Sequence, residues 1–371
     1  MDALSLHQAL SGKYRIISPI EVTSDNLSLL YTPGVAKVAQ ACAEIPNNTF
    51  LYTRRNNVIA VISDGSAVLG LGNIGPYGAL PVMEGKAMLF KEFGNLDAFP
   101  LCISTQDSDE IVRIVKALEP SFGGINLEDI SAPRCFEILR RLDEEMTIPV
   151  FHDDQQGTAV VVLAGVVNAM KLVGKRLDEI KIVVNGIGAA GYNIVKLLIE
   201  FGAKHIVACD VHGILNSKTS LHEYHQEIAS LTNPDDNEGT LSDALKDADL
   251  FIGVSKGNIL SGDDVRKMSK NPIIFALANP LPEIDPNLAY ENGAFIVATG
   301  RSDFPNQVNN LLAFPGIMKA AVEKQKKVTR EMLIEAAITI SKSVEPSREM
   351  IVPMATDRRA HISVYERLAH M

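Results

Sequence analysis

The stretch Lys181-Ile-Val-Val-Asn-Gly-Ile-Gly-Ala-Ala-Gly191 decides the fold of the second half of this 371-residue chain. An apolar run precedes the glycines, an apolar-faced helix is predicted over residues 189–201, and Asp210 ends the next apolar run about 19 residues after Gly191. A strand, a glycine-rich turn, a helix and an acidic residue in this order are the fingerprint of a Rossmann dinucleotide-binding domain. The alternative is that the glycines only shape a tight turn.

Each residue of the fingerprint has a physical role in binding a dinucleotide. Gly186 permits the tight turn, Gly188 lets the backbone approach a pyrophosphate, and Gly191 allows close packing of helix on strand. The helix that begins with Ala189 and Ala190 stabilises the phosphate charge through its free amides.

The coenzyme preference depends on Asp210. Its carboxylate is predicted to accept hydrogen bonds from the adenosine ribose and to repel a 2′-phosphate, which favours NAD over NADP. His212 weakens this preference, because an imidazole nearby could contact a phosphate.

Apolar runs alternate with amphipathic segments in the first half of the chain as well. Repeated βα units imply parallel sheets with covered faces, so we predict an α/β protein. We expect an N-terminal domain over residues 1–155 and a Rossmann domain with C-terminal helices over residues 156–371. The predicted strands are residues 58–62, 99–103, 122–127, 150–151, 182–184, 206–209, 250–254, 273–277 and 295–298, and predicted helices include 108–118, 132–145 and 157–172.

Bulk composition narrows the class of partner. The net charge of −10 argues against a nucleic-acid partner, which would favour a basic surface. The longest apolar stretch, residues 159–170, is shorter than the ~20 residues that span a bilayer, so no membrane partner is expected. The N-terminus has no basic segment followed by an apolar one, so a cytoplasmic location is expected.

Two pairs of carboxylates, Glu128-Asp129 and Asp153-Asp154, each follow a short apolar run. Parallel sheets carry their ligands at the carboxyl ends of the strands, and Mg²⁺ and Mn²⁺ prefer oxygen ligands. Either pair alone also suits the N-terminus of a following helix. Both pairs together, in a protein with a dinucleotide site, favour a shared cation.

Other residues are candidates for acid–base chemistry and substrate binding. Lys86 lies in a helix-like segment with apolar neighbours, and burial would lower its pKa and make it a base. Tyr31 precedes a Thr-Pro-Gly turn that could project the phenol into a cleft. Asn279 and Asn309 could bind a carboxylate or carboxamide. The alternatives are a surface lysine, a surface tyrosine and ordinary turn chemistry.

Six motifs occur in order between about residue 13 and residue 320. They are Tyr31-Thr-Pro-Gly-Val-Ala36, Glu84-Gly-Lys86-Ala87, Gly123-Gly-Ile-Asn-Leu-Glu-Asp129, Phe151-His-Asp-Asp-Gln-Gln-Gly157, Asn185-Gly-Ile-Gly-Ala-Ala-Gly191 and Ala278-Asn-Pro280. As a set they resemble the motifs of malic enzymes in their short, bacterial-type form.

The resemblance implies a fold, an activity and residue roles. It implies an N-terminal domain of the amino-acid-dehydrogenase type, a Rossmann domain and a homodimer. The reaction would be decarboxylation of malate to pyruvate and CO₂ through bound oxaloacetate, with NAD or NADP and with Mg²⁺ or Mn²⁺. The implied roles are metal ligation by Glu128, Asp129 and Asp154; base catalysis by Lys86 supported by Asp153; protonation of C3 by Tyr31; malate binding by Lys86, Asn279 and Asn309; and coenzyme contact by Asn279.

Two departures from the family pattern concern the substrate and the metal. Ala67 stands where long-form malic enzymes have an arginine for a substrate carboxylate, and the backbone amides of residues 70–75 are one substitute. Gln156 stands where many short-form relatives have histidine. Alternative functions are an oxaloacetate decarboxylase or malolactic enzyme, a metal-free amino-acid dehydrogenase, and a dinucleotide-sensing scaffold.

Overall fold

Two largely parallel β-sheets form the framework of the protein in a computed structural model that describes residues 2–68, 70–220 and 222–371. The first sheet has the strand order β2-β1-β3-β4, and all of its pairings are parallel. Its strands are β1 (Val58–Ser63), β2 (Asp97–Cys102), β3 (Gly124–Leu127) and β4 (Val150–His152). The carboxyl ends of β3 and β4 therefore lie side by side.

Helices of the first half fall into two groups that differ in burial. Those that cover the sheet are α5 (Gly75–Gly94), α6 (Ser108–Leu118) and α7 (Arg134–Glu145), and each has a buried apolar face. Those that precede the sheet are α1 (Ala3–Leu10), α2 (Leu27–Leu30), α3 (Val35–Glu44) and α4 (Asn48–Tyr52). No residue of these four helices is buried.

The second sheet has the strand order β10-β9-β8-β5-β6-β7. Its strands are β5 (Lys181–Asn185), β6 (His205–Asp210), β7 (Gly213–Ile214), β8 (Leu250–Gly253), β9 (Ile273–Ala276) and β10 (Ile296–Thr299). The helices between them are α9 (Ala189–Glu200), α10 (Glu223–Thr232), α11 (Leu241–Leu245), α12 (Gly262–Lys267) and α13 (Pro286–Glu291). All pairings are parallel except that of β6 with β7, a two-residue strand that the sequence pattern did not predict.

The remaining helices fill the space between the sheets. They are α8 (Thr158–Val173), α14 (Phe314–Lys324), α15 (Arg330–Lys342) and α16 (Arg358–Ala369). By length and composition the segment Asp153–Val173 could cross a membrane, but 67% of its apolar window is buried inside the protein, as in a core helix.

The C-terminal helices return to the first sheet. A Cβ on Gly124 of β3 would lie 2.9 Å from Val322 of α14, so glycine permits this close approach. Lys319 of α14 also donates a 2.9 Å hydrogen bond to Asn57, which precedes β1. The predicted division at residues 155 and 156 falls in the turn between β4 and α8, while helices assigned to the second domain also pack on the first.

The predicted α/β class is confirmed. Each predicted strand matches an observed one to within about two residues at either end, because buried parallel strands read as continuous apolar runs.

Candidate active site

Three carboxylates converge at the carboxyl edge of the first sheet. Glu128 and Asp129 directly follow β3, and Asp154 lies in the turn Asp153–Gly157 that follows β4. One oxygen from each of the three lies within 4.8 Å of the others. Glu128 and Asp129 are buried, whereas the Asp154 side chain is 33% exposed and marks the open side of the cluster.

Backbone and amide contacts hold these carboxylates in place. Asp129 has a positive φ of 54°, and its N–H donates to Asp154 Oδ2 at 2.9 Å. Its carbonyl oxygen accepts the N–H of Ala67 at 2.9 Å, which ties the cluster to the loop after β1. Asn126, which sequence reasoning missed, donates to Glu128 Oε2 at 2.9 Å. These contacts fix the relative positions of the three carboxylates.

Lys86 and Asp153 form a buried ion pair beside the three carboxylates. Lys86 projects from α5, is only 9% exposed, and places Nζ 2.9 Å from Glu128 Oε1 and in contact with Asp153. The ammonium also lies 4.1 Å from the ring centroid of Phe314 on α14. A Cβ on Gly157 would lie 1.8 Å from Asp153 Oδ1, so the glycine leaves room for this carboxylate.

The structure corrects the prediction for the pKa of Lys86. Burial by itself would lower this pKa, but the negative charges of Asp153 and Glu128 outweigh burial and raise it. The prediction of a lowered pKa is therefore wrong for the protein without a bound cation, because it considered burial without the partners that the fold supplies.

The cluster carries more negative charge than Lys86 can neutralise. Burial is the largest cause that raises the pKa of Glu128, Asp129 and Asp153, and repulsion between neighbouring carboxylates adds to it. Asp129 Oδ2 and Asp153 Oδ1 are buried and have no hydrogen-bond partner among the described residues. A hard divalent cation held by Glu128, Asp129 and Asp154 would supply the missing charge and a contact for Asp129, so the oxygen donors fit Mg²⁺ or Mn²⁺.

His152 borders this cluster and was also missed. Its ring is fully buried, with Nδ1 3.6 Å from Asp154 Oδ2, and neither ring nitrogen has a hydrogen-bond partner among the described residues. Burial, with a smaller effect of the Lys86 charge, lowers the pKa of His152 to about 3. The side chain of Gln156 accepts the backbone N–H of His152 at 2.9 Å and so stabilises the acidic turn.

Tyr31 is not brought to the cluster. It follows α2, is 67% exposed, and its hydroxyl makes no hydrogen bond to any described residue. The structure thus places the candidate base in the interior and the candidate acid on the surface.

The glycine-rich turn is shaped for a dinucleotide. Gly186 has a φ of +99°, and a Cβ on Gly191 would lie 1.9 Å from the Gly186 carbonyl oxygen, so both positions require glycine for the fold. A Cβ on Gly188 would meet nothing within 4 Å. The first turn of α9, with Ala189 and Ala190, has no side-chain cap, so its amides are available to an anion. These features fit a pyrophosphate.

Asp210 and Asn279 lie on the same carboxyl edge of the second sheet. Asp210 ends β6, and the histidine beside it is His225 of α10, at 3.3 Å, rather than His212. Asn279 follows β9 and donates to the Leu277 carbonyl at 3.3 Å.

Asn309 lies next to the acidic turn of the first domain. Its side chain caps a 3₁₀ turn by accepting the Leu311 N–H at 2.9 Å. The neighbouring residue Asn310 would contact a Cβ on Gly157 at 3.5 Å.

The loop after β1 uses the amides that we considered for a substrate carboxylate. The N–H groups of Leu71 and Gly72 donate to Val68, and those of Ile74 and Gly75 donate to Gly65. These four amides are therefore not free to bind an anion. Arg134 is a cation of this region, but it is paired with buried Asp64 at 3.0 Å and also bonds Ser66 and Ser131.

Comparisons with known proteins match this architecture. The family model for the malic enzyme N-terminal domain matches residues 13–143, and that for the malic enzyme NAD binding domain matches residues 155–364. The NAD-dependent malic enzyme of Geobacillus stearothermophilus is 55% identical over 93% of this chain and 73% of its own length. The bifunctional malic/malolactic enzyme of Bacillus subtilis is 50% identical over 99% of this chain and 92% of its own length.

Solved structures give the same result. The NAD-dependent malic enzyme of Thermotoga maritima superposes with a TM-score of 0.98 at 64% identity, over 100% of this chain and 99% of that chain. Other relatives, 42% to 46% identical, are NADP-dependent malic enzymes.

Proposed function

The chain belongs to the malic enzyme family, and we propose that it oxidises malate with NAD and releases CO₂ with the help of a divalent cation held by Glu128, Asp129 and Asp154. The family and the two-domain fold predicted from the sequence are confirmed. The observation that carries the proposed mechanism is the buried Lys86–Asp153 pair beside three converging carboxylates. Oxidation at C2 of malate needs a base, decarboxylation needs an electrophile, and this cluster has residues for both.

The proposed reaction converts malate and NAD⁺ to pyruvate, CO₂ and NADH. A divalent cation bound by the three carboxylates would supply Lewis-acid catalysis, because it polarises the oxygens of a 2-hydroxy acid and stabilises the charge that develops as CO₂ leaves. The hydride leaves C2 for the nicotinamide, and the bond between C3 and the C4 carboxylate then breaks. The last step is protonation of C3.

Lys86 and Asp153 together form the proposed proton path. Lys86 is protonated in the ion-free protein, because the charges of its partners raise its pKa. Asp153 contacts the ammonium through Oδ2, so this oxygen is placed to take the proton. The neutral amine would then accept the C2 hydroxyl proton as the hydride leaves. This path assigns Lys86 as the base only in combination with Asp153.

An exposed apolar surface next to the site supports the proposal of a homodimer. Most of the large apolar side chains that are clearly more than two-thirds exposed lie in the N-terminal segment and α5, and the others are Val211 and Met354; those of the segment and α5 are Leu4, Ile16, Ile17, Leu29, Leu51 and Tyr77. The segment contacts α5 through Lys13, which donates to the Pro81 carbonyl at 2.7 Å. Monomeric proteins rarely expose large contiguous apolar areas. A second copy of the chain would cover this one.

Tyr31 belongs to this same exposed segment. We propose that it protonates C3 in the active site of the second copy, since it is exposed in its own chain while Lys86 is buried. Mixing Tyr31→Phe chains with Lys86→Met chains tests this arrangement. A mixed dimer would contain one site with both native side chains and regain activity that neither parent has. Mixed dimers as inactive as their parents would place Tyr31 in the site of its own chain.

NADH and lactate distinguish the proposed reaction from the malolactic reaction. A malolactic enzyme converts malate to lactate and CO₂ without net formation of NADH, and the Bacillus subtilis relative is described as bifunctional malic/malolactic. We therefore propose measuring pyruvate, lactate, CO₂ and NADH from malate in one reaction with Mn²⁺. Equal amounts of pyruvate, CO₂ and NADH are expected. Lactate in the amount of the CO₂ released would support the malolactic reaction instead.

Asp210 supports the proposal of NAD as the coenzyme. Its carboxylate ends β6, the position at which Rossmann domains generally hold an acidic residue for the adenosine ribose, and a negative charge there opposes a 2′-phosphate. Because relatives of both kinds exist, the ratio of kcat/KM for NAD and NADP with malate is the deciding measurement. A higher value for NADP would refute this part of the proposal.

A further inference from the structure

His225 connects two parts of the candidate coenzyme site. It lies on α10, is 8% exposed, and places Nε2 3.0 Å from the Ile187 carbonyl oxygen and 3.3 Å from Asp210 Oδ2. Ile187 belongs to the glycine-rich turn, and Asp210 ends the neighbouring strand β6. Both neighbours of Nε2 are acceptors, so this nitrogen carries the proton; it donates to the Ile187 carbonyl and lies beside the Asp210 carboxylate.

The other contacts of the His225 ring are consistent with a proton on Nε2 and none on Nδ1. Nδ1 is buried and has no hydrogen-bond partner among the described residues, as expected for the nitrogen without a proton. The ring of His222 packs on it with centroids 3.9 Å apart. The imidazole is therefore held by packing on one side and, at its edge, by one hydrogen bond and the contact with Asp210.

The contact fixes the direction of the Asp210 carboxylate. Oδ1 accepts the N–H of Val211 at 2.8 Å, and the N–H group of His225 lies beside Oδ2, with Nε2 at 3.3 Å. The hydrogen bond to Oδ1 and the polar contact at Oδ2 together favour one orientation of the carboxylate. An acceptor that is already oriented binds ribose hydroxyls without the entropic cost of ordering it.

The same nitrogen also restrains the turn that faces the pyrophosphate. The peptide between Ile187 and Gly188 is planar, so a hydrogen bond to the Ile187 carbonyl fixes the direction of the Gly188 N–H. His225 thus sets the relative position of the ribose acceptor and the phosphate turn.

We propose that His225 is a positioning residue that gives this protein its preference for NAD over NADP, and this inference rests on the NAD dependence proposed above. A fixed Asp210 carboxylate accepts the 2′-hydroxyl of NAD and stands in the way of the 2′-phosphate of NADP. Without His225 the carboxylate is free to turn away. The affinity for NAD is then expected to fall, while the affinity for NADP falls little or rises.

Substitution of His225 by phenylalanine tests the inference. Phenylalanine keeps the ring against His222 and removes the N–H. The dissociation constant for NAD is expected to rise roughly tenfold, as for loss of a polar contact with a charged group, while kcat at saturating NAD stays within about twofold. The ratio of the NADP to the NAD dissociation constant is expected to fall by at least about fivefold. His225→Gln restores an N–H donor and is expected to recover most of the NAD affinity.

His361 provides a matched control. It is also buried, its Nε2 lies 2.8 Å from the Ala355 carbonyl, and its Nδ1 has no partner among the described residues, but it lies on α16. His361→Phe is expected to lower stability without changing the affinity ratio of the two coenzymes. If His225→Phe leaves that ratio unchanged, or if His225→Gln binds NAD no better than His225→Phe, the inference is wrong.

Calorimetric titration of each coenzyme separates this inference from the proposed function. The titration needs neither malate nor turnover, so it measures the role of His225 even in a protein that fails to oxidise malate. Absence of malate-dependent NADH formation alongside the expected affinity changes would refute the proposed reaction only.

Discussion

Replacing Lys86 by methionine tests the charge balance of the candidate active site through protein stability. Methionine keeps most of the apolar stem beside Phe314 and removes the ammonium that contacts Glu128 and Asp153. Removing one partner of a buried ion pair costs about 3–5 kcal/mol when the other partner stays charged. All of these side chains are nearly inaccessible to water, so solvent offers little compensation.

The size of this loss should depend on pH. Burial is the largest cause that raises the pKa of Glu128 and Asp153, and removal of Lys86 would raise both further. A pKa that is higher in the folded than in the unfolded protein means that the folded protein binds more protons, so stability is lost as pH rises. We expect Lys86→Met to cost about 3–5 kcal/mol at pH 8. The loss should be small below about pH 7, where the raised pKa values of Glu128 and Asp153 keep both carboxylates protonated with or without Lys86, and should grow above it by about 1.4 kcal/mol per pH unit for each proton that only the variant retains.

Urea unfolding in EDTA at pH 5.5 and pH 8 measures the effect. Lys319→Met is the control, because Lys319 donates to the neutral side chain of Asn57 and its one acidic partner, Glu323 at 3.6 Å, is exposed to solvent, so its loss should depend much less on pH. A Lys86→Met protein as stable as the wild type at pH 8, or a loss of equal size at both pH values, would refute the charge balance described for the site.

Three further predictions concern the cation, the coenzyme and the acid. Mn²⁺ should raise the midpoint of thermal unfolding more at pH 8 than at pH 6, because burial raises the pKa of Asp129, its proposed ligand. Asp129→Asn should abolish most of the rise that Mn²⁺ causes, and a rise as large as in the wild type would contradict the metal site. Gly188→Ala should unfold at the wild-type thermal midpoint, because its Cβ meets nothing within 4 Å, but should lose at least about tenfold in NAD affinity measured by calorimetry. Gly191→Ala should lower the thermal midpoint, because its Cβ would meet the Gly186 carbonyl oxygen. Tyr31→Phe should keep the midpoint and lower kcat by roughly 10² or more, and full activity would remove Tyr31 from the mechanism.

The second domain was predictable because its signals are local in sequence. The glycines of the turn between β5 and α9 and the acid at the end of β6 stand at fixed offsets from apolar strands. The convergence of the carboxylates was predictable for a related reason. Glu128 and Asp154 each follow a buried strand, and parallel neighbours bring their carboxyl ends to one edge.

Features that depend on distant contacts were not predictable. The pKa of Lys86 is raised, whereas the prediction was that it is lowered, because the carboxylates of Glu128 and Asp153 contact Lys86 from other elements. His225 contacts Asp210 only once α10 packs beside β6, and no motif marks it. The exposure of the N-terminal helices was not predicted either. Apolar residues that a second copy would cover give the same sequence pattern as apolar residues that pack inside one chain.

The metal dependence of malate oxidation tests the central claim most directly. The protein is stripped with EDTA, supplied with malate and NAD, and followed by the absorbance of NADH before and after addition of excess Mn²⁺. We expect no NADH until Mn²⁺ is added and full activity afterwards, with Asp129→Asn inactive under both conditions. Undiminished formation of NADH in excess EDTA would contradict the claim.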